Sequence, residues 1–447
     1  MGVLMQAFHW DCPRQDRCEY AWWNHVREQT AALARTGFTA LWLPPVHKAA
    51  NIGGPSMGYD PYDYYDLGEY EQKGAAKTWF GSKQELLDLI AEAHAQRLTV
   101  IADIVINHNS GADATEVNPI TGQSRWTRFE PASGLFPRTW ECFHPNMYES
   151  WDEGTFGEMP DLSHRNPYVF GEILKLARWL VETIGFDGFR YDFVKGYGAN
   201  TVAAIQEYRY MRAGQLVRPY GVAEFWGEAQ AIQAWADLSN LSNANPVDAF
   251  DFPLREALKR LCDAPDFKLH DLVNADTLLR RQTQTTVTFV ENHDLRDPGR
   301  PIVDGKLLAY SYICTHEGYP CVFWKDYYND GLALDGTANG IAALVAAHEK
   351  YAGGATQTLW LEDHLYIMQR TGYGDTPGLI YVLNTGRDAP ARPWVTTAWP
   401  SSTFTPVAWW GATDRTRPDT QTTGPDGRAQ FSAAPRGYAV FAPAAAP

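Results

Sequence analysis

Four short segments of this chain end in groups that can move protons or hold charge. They are DIVINH (Asp103–His108), GFRYD with Arg190 and Asp192, AEFW with Glu224, and ENHD with His293 and Asp294. Singly, an acid at the end of a strand is commonly a helix cap. Several of them converging on one rim point instead to a reaction site. Two carboxylates flanking a scissile bond are what cleavage of a glycosidic bond requires. One attacks or stabilises the oxocarbenium-like centre and the other protonates the leaving oxygen. Arg190 lies two residues before Asp192, on the same face of a strand, and its charge is expected to lower the Asp192 pKa and keep it ionised. Glu224 is followed by Phe225 and Trp226, an apolar setting expected to raise a carboxyl pKa by partial desolvation.

Side chains so far apart in sequence need a frame that brings strand ends together. Eight short apolar runs supply candidates: VLMQAF (Val3–Phe8), FTALWLPP (Phe38–Pro45), TVIADIVIN (Thr99–Asn107), FDGFRYDF (Phe186–Phe193), GVAEFW (Gly221–Trp226), VDAFDFP (Val247–Pro253), TTVTFVENHD (Thr285–Asp294) and PCVFW (Pro320–Trp324). Helix-patterned stretches such as HVREQTAALARTG, SKQELLDLIAEAHAQR and FGEILKLARWLVETIG separate several of them. Continuous apolar strands alternating with helices read as parallel strands buried on both faces. Eight such units predict an α/β fold, a (β/α)8 TIM barrel, with polar strand-end residues at its C-terminal rim.

The spacing between Asn107 and Asp192 exceeds one βα unit by roughly 50 residues. That excess predicts an inserted subdomain at 108–165, polar, aromatic and rich in Gly and Pro. The barrel is then 1–107 and 166–352. From 353 to 447, runs such as TQTLWLEDHLYIMQR, GLIYVLNTG and GYAVFAP, separated by turn residues, predict a C-terminal antiparallel β-sandwich domain. Trp409 and Trp410 within it are read either as a starch-binding platform or as packing between domains.

Composition narrows the partners. Asp and Glu number 53 against 38 Lys and Arg, giving a net charge of −15, which disfavours nucleic acid and anionic membrane surfaces. No stretch reaches the ~20 apolar residues of a membrane span, and no basic helix or charge asymmetry marks a protein partner, so a monomer is expected. The 17 Trp, 23 Tyr and 20 Phe serve either packing or a sugar-binding cleft. The start, MGVLMQAFHWD, reads as a strand rather than a signal peptide; the expected location is cytoplasmic, or exported after removal of a signal. The six cysteines show no metal or disulfide framework, although Cys12 and Cys18 would be able to pair on export.

The segments DIVINH, GFRYDFVKG, AEFW and FVENHD, in this order and spacing, resemble the signature regions of the α-amylase family of glycoside hydrolases. MPDLSH (Met159–His164) and GYDPYDYYDLGEYEQKG (Gly58–Gly74) are similar to two further regions. QAFHWD, IADIVINH, FVKGYG, THEGYPCVFW and GYGDTPGLI lean towards archaeal and plant-type members. The resemblance implies endo-acting, retaining hydrolysis of α-1,4-glucans of the starch or glycogen type. Asp192 would be the nucleophile, Glu224 the general acid/base, and Asp294 a ligand of sugar hydroxyls that favours ring distortion. Arg190 would position Asp192, His108 and His293 would bind hydroxyls, Tyr59 would stack on the sugar, Trp226 would be a second ring on the sugar side, and Lys195 and Gly196 would lie towards the leaving group. A Ca²⁺ site is implied at Asn107, Asp152, Gly154, Asp161 and Gly196, using the oxygen ligands calcium takes. Where some relatives hold zinc, this chain has His144, Glu149 and Ser163; without a thiolate, no zinc is expected. Two alternatives remain: an exo-acting enzyme releasing maltooligosaccharides of fixed length, and a catalytically dead glucan-binding protein.

Overall fold

The computed structural model describes residues 2–52, 54–148, 156–240, 246–387 and 392–444. All eight expected strands form: β1 (Leu4–Gln6), β2 (Ala40–Leu43), β3 (Thr99–Ile104), β4 (Gly188–Tyr191), β5 (Tyr220–Ala223), β6 (Asp248–Phe250), β7 (Thr286–Phe289) and β8 (Tyr319–Phe323). They close into a barrel in chain order, β8 pairing in parallel with β1. Each strand is followed by a helix on the outside: α1 (Trp22–Thr36), α2 (Lys83–Ala95), α3 (Pro167–Trp179), α4 (Ala199–Gln206), α5 (Ala229–Ser239), α6 (Phe252–Asp263), α7 (Lys306–Thr315) and α8 (Ile341–Tyr351). Every residue of β2, β4 and β7 is buried, which is why these runs read as continuously apolar rather than alternating.

Local chemistry sets where the helices begin. Ser82 caps α2 in a reciprocal box with Glu85. Asn166 accepts from the Tyr168 N–H at 2.9 Å ahead of Pro167, which opens α3. Asp251 accepts from Leu254 N–H at 3.0 Å to start α6. Such caps contribute about 1 kcal/mol each. Register does the rest: Arg190 lies opposite Asp103 on β3 and Val222 on β5. Arg190 and Asp103 therefore share one level of the barrel.

The segment after β3 leaves the barrel, forms a hairpin of Ala114–Val117 with Ser124–Arg128, and returns beside its point of departure. Leu162 N–H donates to the Asn107 carbonyl at 2.8 Å and Asn109 N–H to the Pro160 carbonyl at 3.0 Å. Buried Arg138 packs its guanidinium 4.6 Å from the Phe129 ring centroid and 5.0 Å from that of Phe136.

After α8 the chain forms an antiparallel sheet of β9 (Thr356–Leu361), β10 (Leu365–Arg370), β11 (Leu379–Asn384), β12 (Thr403–Gly411), β13 (Gln421–Thr422) and β14 (Gly437–Pro443). Their spatial order is β9–β10–β11–β14–β12–β13, and Ser311 on α7 hydrogen-bonds Tyr381 on β11 at 2.8 Å. Neighbouring residues of a strand point to opposite faces. Trp410 accordingly packs against the barrel-side core and Trp409 against the core of the β domain, so the two rings do not form one platform. Cys12 and Cys18 are free thiols rather than a pair. No helix among the described residues is long and apolar enough to cross a membrane.

Candidate active site

Asp192 and Glu224 follow β4 and β5 directly, and His293 and Asp294 lie in the turn that follows β7. They meet at the C-terminal rim, although 102 positions separate Asp192 from Asp294. Arg190 holds the group together. Its Nη1 donates to Asp192 Oδ1 at 2.6 Å and Asp103 Oδ1 at 2.8 Å, and its Nη2 lies 2.7 Å from Glu224 Oε1. The guanidinium is 1% exposed, so these contacts are nearly unscreened by water.

One cation faces three buried carboxylates, and the balance runs against the sequence expectation for Asp192. Burial pushes its pKa well above the usual carboxylate range, Arg190 pulls it down, and Glu224 and Asp103 push it up again. The expected lowering by Arg190 is present but outweighed. Asp103 is likewise pushed up to about 6 by burial, against the pull of Arg190. The apolar setting expected for Glu224 is not what surrounds it. Its Oε1 accepts from Trp226 Nε1–H at 3.0 Å and its Oε2 from Phe193 N–H at 3.0 Å, while Phe225 turns towards Trp235, centroids 6.3 Å apart. Phe193 adopts φ 42°, a left-handed conformation costly for a bulky residue. That turn aims the Phe193 N–H at Glu224.

The other expected contacts divide. Tyr59 and His293 stack nearly parallel, 5.0 Å apart at 9°, and Tyr59 donates its hydroxyl to Asp103 Oδ2 at 2.8 Å. His108 Nε2 pairs with the Tyr59 carbonyl at 3.0 Å, and its ring stacks on Phe156 at 4.8 Å. Tyr59, His108, Asp192, Glu224, Trp226 and Asp294 all line one cavity of about 1060 Å³. Lys195 is half-buried with its ammonium 4.9 Å over the Phe225 ring, and it does not line this cavity. Sequence reasoning missed several supports: Trp42, whose indole N–H donates to Asp103 Oδ2 at 3.1 Å; Gln6, 3.0 Å from His293 Nδ1; and Trp10 and Arg296 in the cavity wall. Gln6 and Trp10 fall within QAFHWD, so a signal was present for those two.

Calcium is tested on the residues present. Asn107 Oδ1 is buried and has no hydrogen-bond partner, while its Nδ2 is spent on His108 Nδ1 at 3.2 Å. Gly196 comes so close that a Cβ there would overlap Asn107 Oδ1. An unsatisfied amide oxygen beside bare glycine backbone suits a hard cation. Asp161 is buried beside them, its carbonyl accepting from His144 N–H at 2.9 Å. Asp152 and Gly154, like Glu149, lie outside the described residues. Among the described residues, no three His, Cys, Asp or Glu side chains are grouped to hold a metal. Ser163 Oγ donates to Asn146 Oδ1 at 3.3 Å.

The profile described as "Alpha amylase, catalytic domain" matches residues 23–297. The chain belongs to the α-amylase family. It is 32% identical over 440 residues to an α-amylase of Geobacillus stearothermophilus, covering 84% of this chain and 76% of that one. It is 30% identical over 444 residues to a glucan 1,4-alpha-maltohexaosidase of Bacillus sp. (strain 707), covering 86% and 82%. Its fold matches an α-amylase structure from Malbranchea cinnamomea with a TM-score of 0.70, at 18% identity over 99% of this chain and 96% of that one. The chain is thus a glycoside hydrolase, and α-1,4-linked glucans are its substrate class. The leaning towards archaeal and plant-type members is not borne out: a probable alpha-amylase 2 of Arabidopsis thaliana reaches 27% identity over 410 residues, below the two bacterial relatives.

Proposed function

We propose that the protein cuts α-1,4-glucosidic bonds within starch- or glycogen-like chains, with retention of configuration. Asp192 attacks the anomeric carbon, Glu224 protonates the leaving oxygen, and a covalent glycosyl-enzyme forms on Asp192. Glu224 then takes a proton from water as the intermediate is hydrolysed. The observation that carries this reading is the single guanidinium shared by Asp192 at 2.6 Å and Glu224 at 2.7 Å. It favours the short carboxyl separation of about 5–5.5 Å used by retaining enzymes over the wider gap of inverting ones. Asp294 binds hydroxyls of the sugar being cleaved and favours its distortion, Tyr59 offers its ring face, and His108 and His293 lie against its hydroxyls. Arg190 keeps Asp192 oriented. Lys195, Gly196 and Trp226 lie towards the leaving group, Trp226 by holding Glu224.

The barrel (1–107 and 166–352) carries this chemistry, the insert (108–165) walls the cleft, and 353–447 form the β domain. Calcium at Asn107, Asp161 and Gly196, with Asp152 and Gly154, would supply a structural tie between the insert and the strand ends; no zinc is assigned. Endo action is favoured by a cavity of about 1060 Å³ lined by Trp10, Trp79 and Trp226 as well as by the carboxylates, which has room for more than one sugar. The relative named a maltohexaosidase keeps release of fixed-length products as the second reading.

The test is Asp192→Asn, expected to fold normally and lose about four orders of magnitude in activity on amylose, or ~5.5 kcal/mol of transition-state stabilisation. Wild-type turnover by that variant would end the assignment. An oligosaccharide blocked at its non-reducing end separates the two readings, since the endo enzyme cleaves it and an exo enzyme leaves it intact.

A further inference from the structure

Arg296 lies in the turn after Asp294 and is 46% exposed, yet it touches two parts of the cleft wall. Its Nη1 donates to Asp294 Oδ1 at 3.2 Å and to the His293 carbonyl at 3.1 Å. Its Cζ sits 3.7 Å from the centroid of Trp10. Trp10 in turn lies parallel to Tyr59, 6.1 Å away at 13°, and to His293, 6.5 Å away at 4°.

The second oxygen of Asp294 is held from the other direction. Gln6 Nε2 lies 3.0 Å from His293 Nδ1. An amide nitrogen only donates, so with Gln6 oriented this way Nδ1 is the acceptor and Nε2 carries the ring hydrogen. That Nε2 is 3.2 Å from Asp294 Oδ2. Burial, with help from Arg190, pushes the His293 pKa well below the ordinary value, so this donor is neutral. Asp294 therefore has a neutral donor on one oxygen and a guanidinium on the other. The remaining charged or titratable groups that act around it are Arg190 on β4, Glu224 after β5 and Tyr59 in the loop after β2.

We propose that Arg296 is a positioning residue that couples Asp294 to Trp10, fixing the carboxylate through Nη1 while its plane covers the indole. The loops after β1 and β7 then present one rigid wall to the sugar. The inference rests on reading Asp294 as a sugar-binding carboxylate. Arginine suits the task because its flat fork can hydrogen-bond and stack at once, whereas a lysine ammonium is a point charge on a flexible stem.

The experiment compares Arg296→Ala, Arg296→Lys and Asp294→Asn by steady-state kinetics on a chromogenic maltooligosaccharide from acid to alkaline pH, with urea midpoints as the folding control. In Arg296→Ala the ionised Asp294 loses a nearby cation. The acid limb of kcat/KM carries the protonation of Asp294 as well as that of Asp192, and the Asp294 part should move up by about half to one pH unit. The plateau should fall about tenfold, because each 1.4 kcal/mol of lost transition-state stabilisation is one decade. Arg296→Lys should restore the acid limb and leave much of the plateau loss, since charge returns without the stack. Unchanged kinetics in Arg296→Ala, or a lower plateau with an unmoved acid limb, overturns the proposal when Asp294→Asn is inactive. Should Asp294→Asn keep wild-type activity, the reading of Asp294 itself fails and the proposal falls with it.

Discussion

Replacing Arg190 by methionine tests the electrostatic core of the site. The substitution keeps most of the side-chain bulk and deletes the charge that meets Asp192, Asp103 and Glu224 at 2.6, 2.8 and 2.7 Å. Breaking a buried ion pair from one side costs about 3–5 kcal/mol, because the partner is left charged and unpaired. The sign with pH follows from the folded-state pKa values. Asp103 is already pushed up to about 6 and Asp192 well above the carboxylate range. A carboxyl raised in this way contributes stability at low pH that is lost as pH rises through its folded pKa. Deleting Arg190 raises both further. Below about pH 5 Asp103 and Asp192 are protonated in both proteins, and the part of the deficit that comes from them should nearly vanish. Above about pH 6 it should grow by roughly 1.4 kcal/mol per pH unit for each affected group, until it reaches the 3–5 kcal/mol range. Urea unfolding of both proteins at about pH 5 and 8 measures the difference directly. A deficit of equal size at both pH values would refute the reasoning, since lost packing has no such dependence. A second substitution, Asp103→Asn in the Arg190→Met background, should recover part of the loss at the higher pH.

Three further outcomes are expected. Trp226→Phe removes the N–H that holds Glu224 Oε1 at 3.0 Å; kcat should drop roughly tenfold to a hundredfold, the worth of a hydrogen bond to a charged group, with KM little changed, and an unaltered kcat would show that the indole does not matter. Asp248, half-buried and accepting from the Tyr220 hydroxyl at 2.7 Å, is pushed up to about 7 by desolvation, so it stabilises the fold at low pH and loses that contribution as pH rises through about 7; Asp248→Asn should therefore gain about 2–4 kcal/mol on the wild type between about pH 4 and 8 in urea titrations, and parallel pH curves would count against it. A chelator should lower the melting temperature of the wild type, with a hundredfold excess of calcium over its Kd adding about 2.7 kcal/mol, and should leave Asn107→Ala unmoved; a wild type indifferent to the chelator removes calcium from the account.

Much of the scaffold is legible in the linear chain. Six of the eight barrel strands lie inside runs picked out by apolar composition, and β5 and β8 each start one residue before their run, because a parallel strand buried on both faces has no polar alternation to confuse the reading. β12 (Thr403–Gly411) was passed over: its residues alternate between buried and half-buried and include a proline at 406, which weakens a strand pattern. The acids and Arg190 were legible because they stand at the ends of those runs. Arg296 was not, since nothing local marks an arginine in a turn as the neighbour of a tryptophan 286 positions earlier.

By itself the sequence determined the alternation of strands and helices, the rim on which the acids gather, and the chemistry that paired carboxylates permit. Those depend on patterns within a few residues. Only the closed barrel decided that Arg190 serves three carboxylates rather than one, that polar donors rather than an apolar pocket surround Glu224, and that burial outweighs the arginine in setting the state of Asp192. Coulomb and desolvation energies follow distance and solvent access. Asp103, opposite Arg190 in the sheet yet 87 positions away in the chain, acquires both only when the strands close.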